Sequence, residues 1–156
     1  TVRHAGIAKV RGTVAITEGA VVVGEDGTAT VTATLDPATV STGDAMRDGH
    51  LKTADFFEVE TFPTWTFSSQ PVAVAEEGEI SGELTIHGVT QPVTLAGEFN
   101  GTAVDAYGNL RAGFSASTTI SRKDFGLTWN AALEAGGVLV SDKVVVSLEI
   151  SAIKQA

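Results

Sequence analysis

Alternation of apolar and polar residues at a period of two runs through most of this chain, and it limits the possible folds more than any other feature. In residues 28–35, Ala29, Val31, Ala33 and Leu35 share one face, while threonines occupy the other. Further alternating segments are found at residues 79–87, 92–99, 110–120 and 144–150. This pattern is typical of strands that bury one face, so the sequence predicts an all-β fold.

Turn signals separate the alternating segments. They are Glu25-Asp26-Gly27, Glu76-Glu77-Gly78, a short hairpin loop over residues 87–91, Tyr107-Gly108-Asn109 and Ala135-Gly136-Gly137. About eight evenly spaced strands with short connections fit either an up-and-down barrel or a sandwich. Because closure removes exposed sheet edges, we expect an antiparallel up-and-down barrel that forms a single domain over residues 1–156.

The segment from Thr42 to Thr53 breaks the alternation. Asp44 is a suitable helix N-cap, because its side-chain oxygen can accept a hydrogen bond from the first free backbone N–H groups. We therefore predict one short helix near residues 44–53, with Met46, Gly49 and Leu51 toward the barrel.

Composition excludes several classes of function. The chain has a formal net charge of −9, which disfavours nucleic acid as a partner. It has no cysteine, which removes disulfides and thiolate metal sites. No apolar run approaches the roughly 20 residues of a membrane-spanning helix, so we expect no integral membrane segment. The chain opens at Thr1 within an expected strand, so we expect an incomplete N-terminal strand, and periplasmic, secreted and cytoplasmic locations all stay open.

Many positions on the expected inner face carry small side chains. They are Ala29, Ala33, Gly82, Gly97, Ala112 and Ala116. One interpretation is that they leave room for a narrow apolar ligand inside the barrel. The other is that they relieve crowding where strands bend, and periodicity alone does not separate the two.

Four blocks of the sequence form a more specific pattern. They are Val2-Arg3-His4 with Val10-Arg11-Gly12, residues 44–57 with 62–69, residues 82–93, and Gly113-Phe114 with residues 120–127. In this order they resemble the YceI-like family of polyisoprenoid-binding proteins, over nearly the whole chain.

The resemblance implies a lipocalin-like barrel, often in a homodimer. Its interior would bind a long isoprenoid, such as a polyprenyl phosphate or a quinone tail, for transport or storage. Family members usually carry an additional first strand with a short Asp, His and Ser motif before the Arg-His seen here at Arg3-His4. One wall of the expected pocket is therefore missing from the prediction.

Lipid binding requires a continuous apolar surface and at most a few polar contacts. The ligand-binding candidates are Trp65, Phe67, Leu84, Ile86, Val93, Leu95, Phe114, Ala116, Leu127, Val146 and Leu148. Core packing is the alternative role for each of them. The candidates for a polar head group are His50, Arg122 and Asp124; the last two are also suited to fixing a turn. Phe56 and Phe57 are adjacent, so on an extended segment they would point to opposite sides.

Catalytic and metal-binding patterns are weak in this sequence. His4, His50 and His87 are far apart and lack metal-ligand spacing. Gly113-Phe-Ser115-Ala-Ser117 lacks the second glycine of a nucleophile elbow. We therefore expect a non-enzymatic protein without cofactor or metal. The alternatives are a barrel enzyme that uses Arg122, Asp124 or His50 on an apolar substrate, and a packed stress or interaction protein that binds no ligand.

Overall fold

Strands dominate the computed structural model, which describes residues 1–73, 75–131 and 139–155. The strands are β1 (Val2–His4), β2 (Ala8–Val10), β3 (Thr13–Val23), β4 (Thr28–Ser41), β5 (Trp65–Ser69), β6 (Val72–Ala73), β7 (Glu77–Ile86), β8 (Val89–Val104), β9 (Leu110–Ser121) and β10 (Lys143–Ile153). Helix α1 (Ala45–Leu51) follows β4, and a 3₁₀ turn (Arg122–Phe125) follows β9.

The main sheet has eight strands in the order β10-β9-β8-β7-β5-β4-β3, with β6 also paired to β4. Each strand of this sheet is antiparallel to the strands it pairs with. This order confirms the predicted antiparallel barrel of about eight strands. The end strands of this order, β3 and β10, do not pair with each other, so the barrel is nearly closed but has one open side.

The N-terminal residues cover the first part of β10. Strand β1 forms a small hairpin with β2, and His4 makes a β-bridge with Val140. The backbones of Thr1 and Val145 exchange two hydrogen bonds of 2.7 and 2.9 Å. These bonds place the start of the chain beside the open side of the barrel.

The antiparallel order gives the barrel two distinct ends. The turns at residues 24–27 and 105–109 lie at one end, here called the hairpin end. Helix α1, the turn after β7 and the 3₁₀ turn lie at the other, here called the helix end. A hydrophobic core of Ile86, Phe125 and Leu127 fills part of the helix end.

Small residues of the inner face relieve crowding at two positions. A Cβ atom on Gly82 would lie 2.8 Å from Cζ of Phe67. A Cβ atom on Gly97 would lie 3.1 Å from Cδ1 of Ile80. Neighbouring side chains therefore occupy the space that these glycines leave, and at these positions the crowding interpretation is correct.

The turn after β7 is shorter than predicted. Strand β7 ends at Ile86 and β8 begins at Val89, so His87 and Gly88 alone form the turn. Their φ angles are 55° and 70°, as a two-residue type I′ hairpin requires. The expected loop over residues 87–91 was wrong, because residues 89–91 already pair with β7.

The other turn predictions have mixed outcomes. Turns are present at Glu25-Asp26-Gly27 and Tyr107-Gly108-Asn109, as predicted. In Glu76-Glu77-Gly78 the last two residues already belong to β7. Ala135-Gly136-Gly137 lies outside the described residues.

Helix α1 confirms the predicted short helix. The Asp44 carboxylate accepts hydrogen bonds from the backbone N–H groups of Met46 at 3.0 Å and Arg47 at 3.1 Å, which is N-capping. Of the residues expected to face the barrel, Met46 and Leu51 line a cleft on its open side, where Met46 is 88% exposed at the rim. Within the described ranges, no helix has the length and hydrophobicity needed to cross a membrane.

Candidate functional site

A cleft of about 1010 Å³ occupies the open side of the barrel, toward the helix end. Val14 and Ile16 of β3 line one side, and Val144 to Glu149 of β10 line the other. Leu35 of β4 lies between them. Because β3 and β10 do not pair, the space between them is available to a ligand.

Only part of the predicted ligand-binding set lines this cleft. Trp65, Val146, Leu148 and the head-group candidate His50 belong to its wall. The remaining apolar candidates do not line it; they are Phe67, Leu84, Ile86, Val93, Leu95, Phe114, Ala116 and Leu127. Ile86 and Leu127 are core residues, and Leu84 and Val93 pack against that core. Alternation identifies inward-facing residues, but it does not show which part of an interior is filled.

Phe56 and Phe57 both line the cleft, which the strand argument did not allow. They lie in a series of turns after α1, where the backbone N–H of Phe57 donates to the carbonyl of Leu51 at 2.8 Å. The alternation of faces applies to extended backbone, and this segment is not extended. Phe57 packs on Trp65, with ring centroids 4.8 Å apart at 88°.

Two aromatic rings pack around the polar side chain of His50 in the wall. His50 packs edge-on against Phe56, with ring centroids 5.1 Å apart, and against Trp129, with centroids 5.0 Å apart. Phe56 and Trp129 are themselves 5.1 Å apart. We call these three residues the cleft cluster. The sequence reasoning did not single out Trp129, because it follows the last recognised block and lies outside any strand.

Asp55 determines the orientation of His50. Its Oδ2 atom lies 2.8 Å from Nε2 of the ring. The two side chains are 41% and 50% exposed, so solvent can reach the pair. Sequence reasoning selected His50 without this carboxylate, because a histidine and an aspartate five residues apart across the end of a helix do not form a recognised motif.

A second polar group lies at the rim of the cleft. The Arg47 guanidinium donates through Nε to Oγ1 of Thr42 at 2.8 Å and through Nη2 to its carbonyl at 3.0 Å. Asp48 accepts a hydrogen bond of 2.9 Å from the backbone N–H of Thr42. These contacts join α1 to the end of β4 and hold the rim in place.

Arg122 does not line the cleft. Its guanidinium is buried and donates to the backbone carbonyls of four residues at 2.8–3.1 Å: Ser141, Leu127, Trp129 and Val140. Burial lowers the pKa of this guanidinium from its ordinary value, and the nearby Asp142 carboxylate partly opposes the shift. These contacts correspond to the turn-fixing alternative, since Arg122 ties the 3₁₀ turn to the segment before β10.

Asp124 also lies away from the cleft. It is exposed, and its backbone carbonyl accepts a hydrogen bond of 2.9 Å from Nε2 of Gln91. A residue that contacts a ligand head group must lie at the cleft. His50 does, whereas Arg122 and Asp124 do not.

Among residues 1–73, 75–131 and 139–155, no group of three or more His, Cys, Asp or Glu side chains is arranged to hold a metal ion. His87, which the sequence placed in a short hairpin loop, is half-buried against Phe62, with ring centroids 4.7 Å apart. The titratable side chains of the cleft lining are His4, Asp44, Arg47, His50 and Glu149.

Comparison with known proteins defines the class of this fold and site. The model of the YceI-like domain matches residues 1–152. The chain therefore belongs to the YceI-like family.

Individual similarities agree with this membership. A UPF0312 protein of Ectopseudomonas mendocina is 45% identical over 100 residues, which cover 63% of this chain and 52% of that protein. A YceI protein of Campylobacter jejuni is 28% identical, with a TM-score of 0.74 over 100% of this chain and 91% of that one. A polyisoprenoid binding domain from Saccharophagus degradans, implicated in plant cell wall breakdown, shares the fold at 18% identity, with a TM-score of 0.59 over 87% and 82% of the two chains.

Proposed function

We propose that this protein binds a long apolar lipid of the isoprenoid type in the cleft between β3 and β10, as a carrier or storage protein. The observation that carries the proposal is the cleft itself, an open volume of about 1010 Å³ whose wall is formed largely by Val, Ile, Leu, Phe and Trp side chains. Its volume lies at the upper end of the range of small-molecule sites, about 300–1,000 Å³.

The shape of the wall favours a long ligand over a compact one. Its lining extends from His50 and Phe56 at the helix end along β10 to Leu148. Each Å² of apolar surface removed from water stabilises a complex by about 25 cal/mol, before the costs of binding. An extended hydrocarbon chain gains most from such a wall, because all of its length is apolar.

Family membership supports the same ligand class. The Saccharophagus degradans domain is a polyisoprenoid binding domain with the same fold. The size of the cleft also argues against a packed barrel without a ligand. Homodimer formation stays a prediction.

A non-enzymatic role is part of the proposal. Catalysis would need several titratable groups that converge on a reacting atom. On the described cleft wall, His50 is held by Asp55, and one edge of Arg47 is occupied by Thr42. A histidine oriented by a carboxylate can also serve as a general base; binding of a ligand without turnover is the role proposed here.

Fluorescence titration with an isoprenoid alcohol tests the proposal. The two tryptophans of the chain, Trp65 and Trp129, both line the cleft, so a bound lipid should change their emission. We expect Val146→Phe, which fills cleft space, to weaken binding about tenfold or more, equivalent to about 1.4 kcal/mol. Thr119→Phe adds the same ring at an exposed position outside the cleft and should leave binding unchanged.

Mass spectrometry gives an independent measurement. Protein purified without detergent should carry a co-purifying apolar molecule, and Val146→Phe should carry less of it than Thr119→Phe. Absence of any bound lipid, together with a flat titration, would overturn the proposal.

A further inference from the structure

His50, a residue of the cleft lining, has one ring nitrogen without a hydrogen-bond partner among the described residues. Asp55 Oδ2 lies 2.8 Å from Nε2, and a carboxylate only accepts hydrogen bonds. Nε2 therefore carries the hydrogen, and in the neutral ring Nδ1 is left as an acceptor. Over the described ranges of the chain, Nδ1 has no hydrogen-bond partner.

The rings around His50 restrict where a partner for Nδ1 can lie. Phe56 and Trp129 both pack nearly perpendicular to the imidazole, at 82° and 85°. All three residues line the cleft. A ligand whose apolar tail follows β10 can thus bring its polar end to His50 without leaving the cleft.

Charges near His50 disfavour an anionic end group. Asp55 contacts the ring directly, and Asp44, the N-cap of the helix that carries His50, belongs to the cleft lining. Arg47 is the nearby cation, but its Nε and Nη2 already donate to Thr42. A carboxylate or phosphate pairs best with an arginine through two parallel donors, and one such edge of Arg47 is occupied. The whole chain carries a net charge of −9, which adds repulsion.

We propose that the His50–Asp55 pair is a specificity-determining contact that selects an uncharged hydroxyl head group on the bound lipid and disfavours a phosphate. The neutral ring accepts the O–H hydrogen at Nδ1 while Asp55 holds Nε2. This inference rests on the proposed lipid-binding function, and of the two ligand classes that the family resemblance leaves open it disfavours the polyprenyl phosphate.

Three probes with the same tail separate the possibilities: geranylgeraniol, its methyl ether and its monophosphate. All three present the same hydrocarbon, but only the alcohol offers an uncharged O–H. Titration of tryptophan emission in the full chain should show that the alcohol binds about fivefold more tightly than the ether. The monophosphate should bind at least about tenfold more weakly than the alcohol.

Two variants locate the selectivity. His50→Phe keeps a ring between Phe56 and Trp129 but removes the nitrogen, so the alcohol should fall to the affinity of the ether, with the ether unchanged. Asp55→Asn removes a negative charge and should raise monophosphate affinity about threefold. Asp124→Asn makes the same change at an exposed position outside the cleft and should leave monophosphate affinity unchanged.

The outcomes are distinct. Equal binding of alcohol and ether by the native chain, or tighter binding of the monophosphate, would overturn the His50 inference and leave lipid binding intact. Binding of none of the three would overturn both proposals. The comparison of alcohol with ether needs no variant, so it decides the question even if a substituted chain does not fold.

Discussion

Two histidines at the helix end have the same kinds of partner, a carboxylate and a phenylalanine ring, but different surroundings. His50 contacts Asp55 and packs against Phe56, while His87 lies 3.4 Å from a Glu58 oxygen and packs against Phe62. The His50 side chain is 41% exposed at the cleft, whereas that of His87 is 19% exposed. We call His87 with Phe62 and Phe125 the packed cluster.

The difference lies in which atoms are left for a ligand. Nδ1 of His87 faces the Phe125 carbonyl at 3.3 Å. Nε2 is buried 3.4 Å from the Glu58 oxygen, in a contact that does not have the geometry of a hydrogen bond. The cleft between β3 and β10 does not reach this ring, since His87 is not part of its lining. A histidine, a carboxylate and a phenylalanine therefore do not define a binding site unless a cavity lies beside them.

Arg122 connects the two clusters, and its substitution should have the largest effect. It donates to the carbonyl of Trp129 in the cleft cluster and holds the 3₁₀ turn that carries Phe125. We expect Arg122→Lys to lower the free energy of unfolding by about 2–4 kcal/mol, because a lysine cannot satisfy four buried carbonyls. Urea denaturation measures this loss, with Arg11→Lys at an exposed position as the control. A change of less than about 0.5 kcal/mol would show that the carbonyls find other donors.

The two histidines themselves provide the next test. His87→Ala should lower the free energy of unfolding by about 1–2 kcal/mol, because it removes the packing of the half-buried ring on Phe62. His50→Ala should cost about 0.5 kcal/mol or less, since its ring is partly solvated. Thermal or urea unfolding of both variants measures the contrast. Equal losses would contradict the distinction between a packed and a ligand-facing histidine.

An ion pair at the hairpin end should have the smallest effect, and it lies far from both clusters. Arg111 Nε donates to Asp105 at 2.7 Å, and this contact, with backbone N–H donors, lowers the pKa of Asp105 to about 2 from 3.8. The pair therefore stabilises the fold above about pH 4, and this contribution disappears as the pH falls toward 2.

Asp105→Asn removes the titrating group. The difference in unfolding free energy between the native chain and this variant should shrink between about pH 4 and pH 2. Urea denaturation across this interval measures it. A difference that stays constant with pH would mean that Asp105 acts through its turn hydrogen bonds and not through its charge.

The sequence predicted the architecture well and the site only in part. Alternation in β4, β7, β8, β9 and β10 and the N-cap at Asp44 depend on neighbours along the chain, so local patterns reveal them. Both Phe56 and Phe57 reach the cleft, because turns after α1 replace the extended backbone that the prediction assumed. Phe67 and Leu95 face inward as predicted, but they are buried away from the cleft.

By itself, the sequence predicted the five alternating strands β4, β7, β8, β9 and β10, the antiparallel barrel, the capped helix and the family, because these follow from periodicity, turn chemistry and local motifs. Tertiary structure decided which part of the barrel is open, because β3 and β10 lie opposite each other across the cleft only after the sheet has curved around the core. It also decided that Trp129 and Asp55 would surround His50. Contacts between residues distant in the chain depend on how the whole sheet packs, and no local pattern records them.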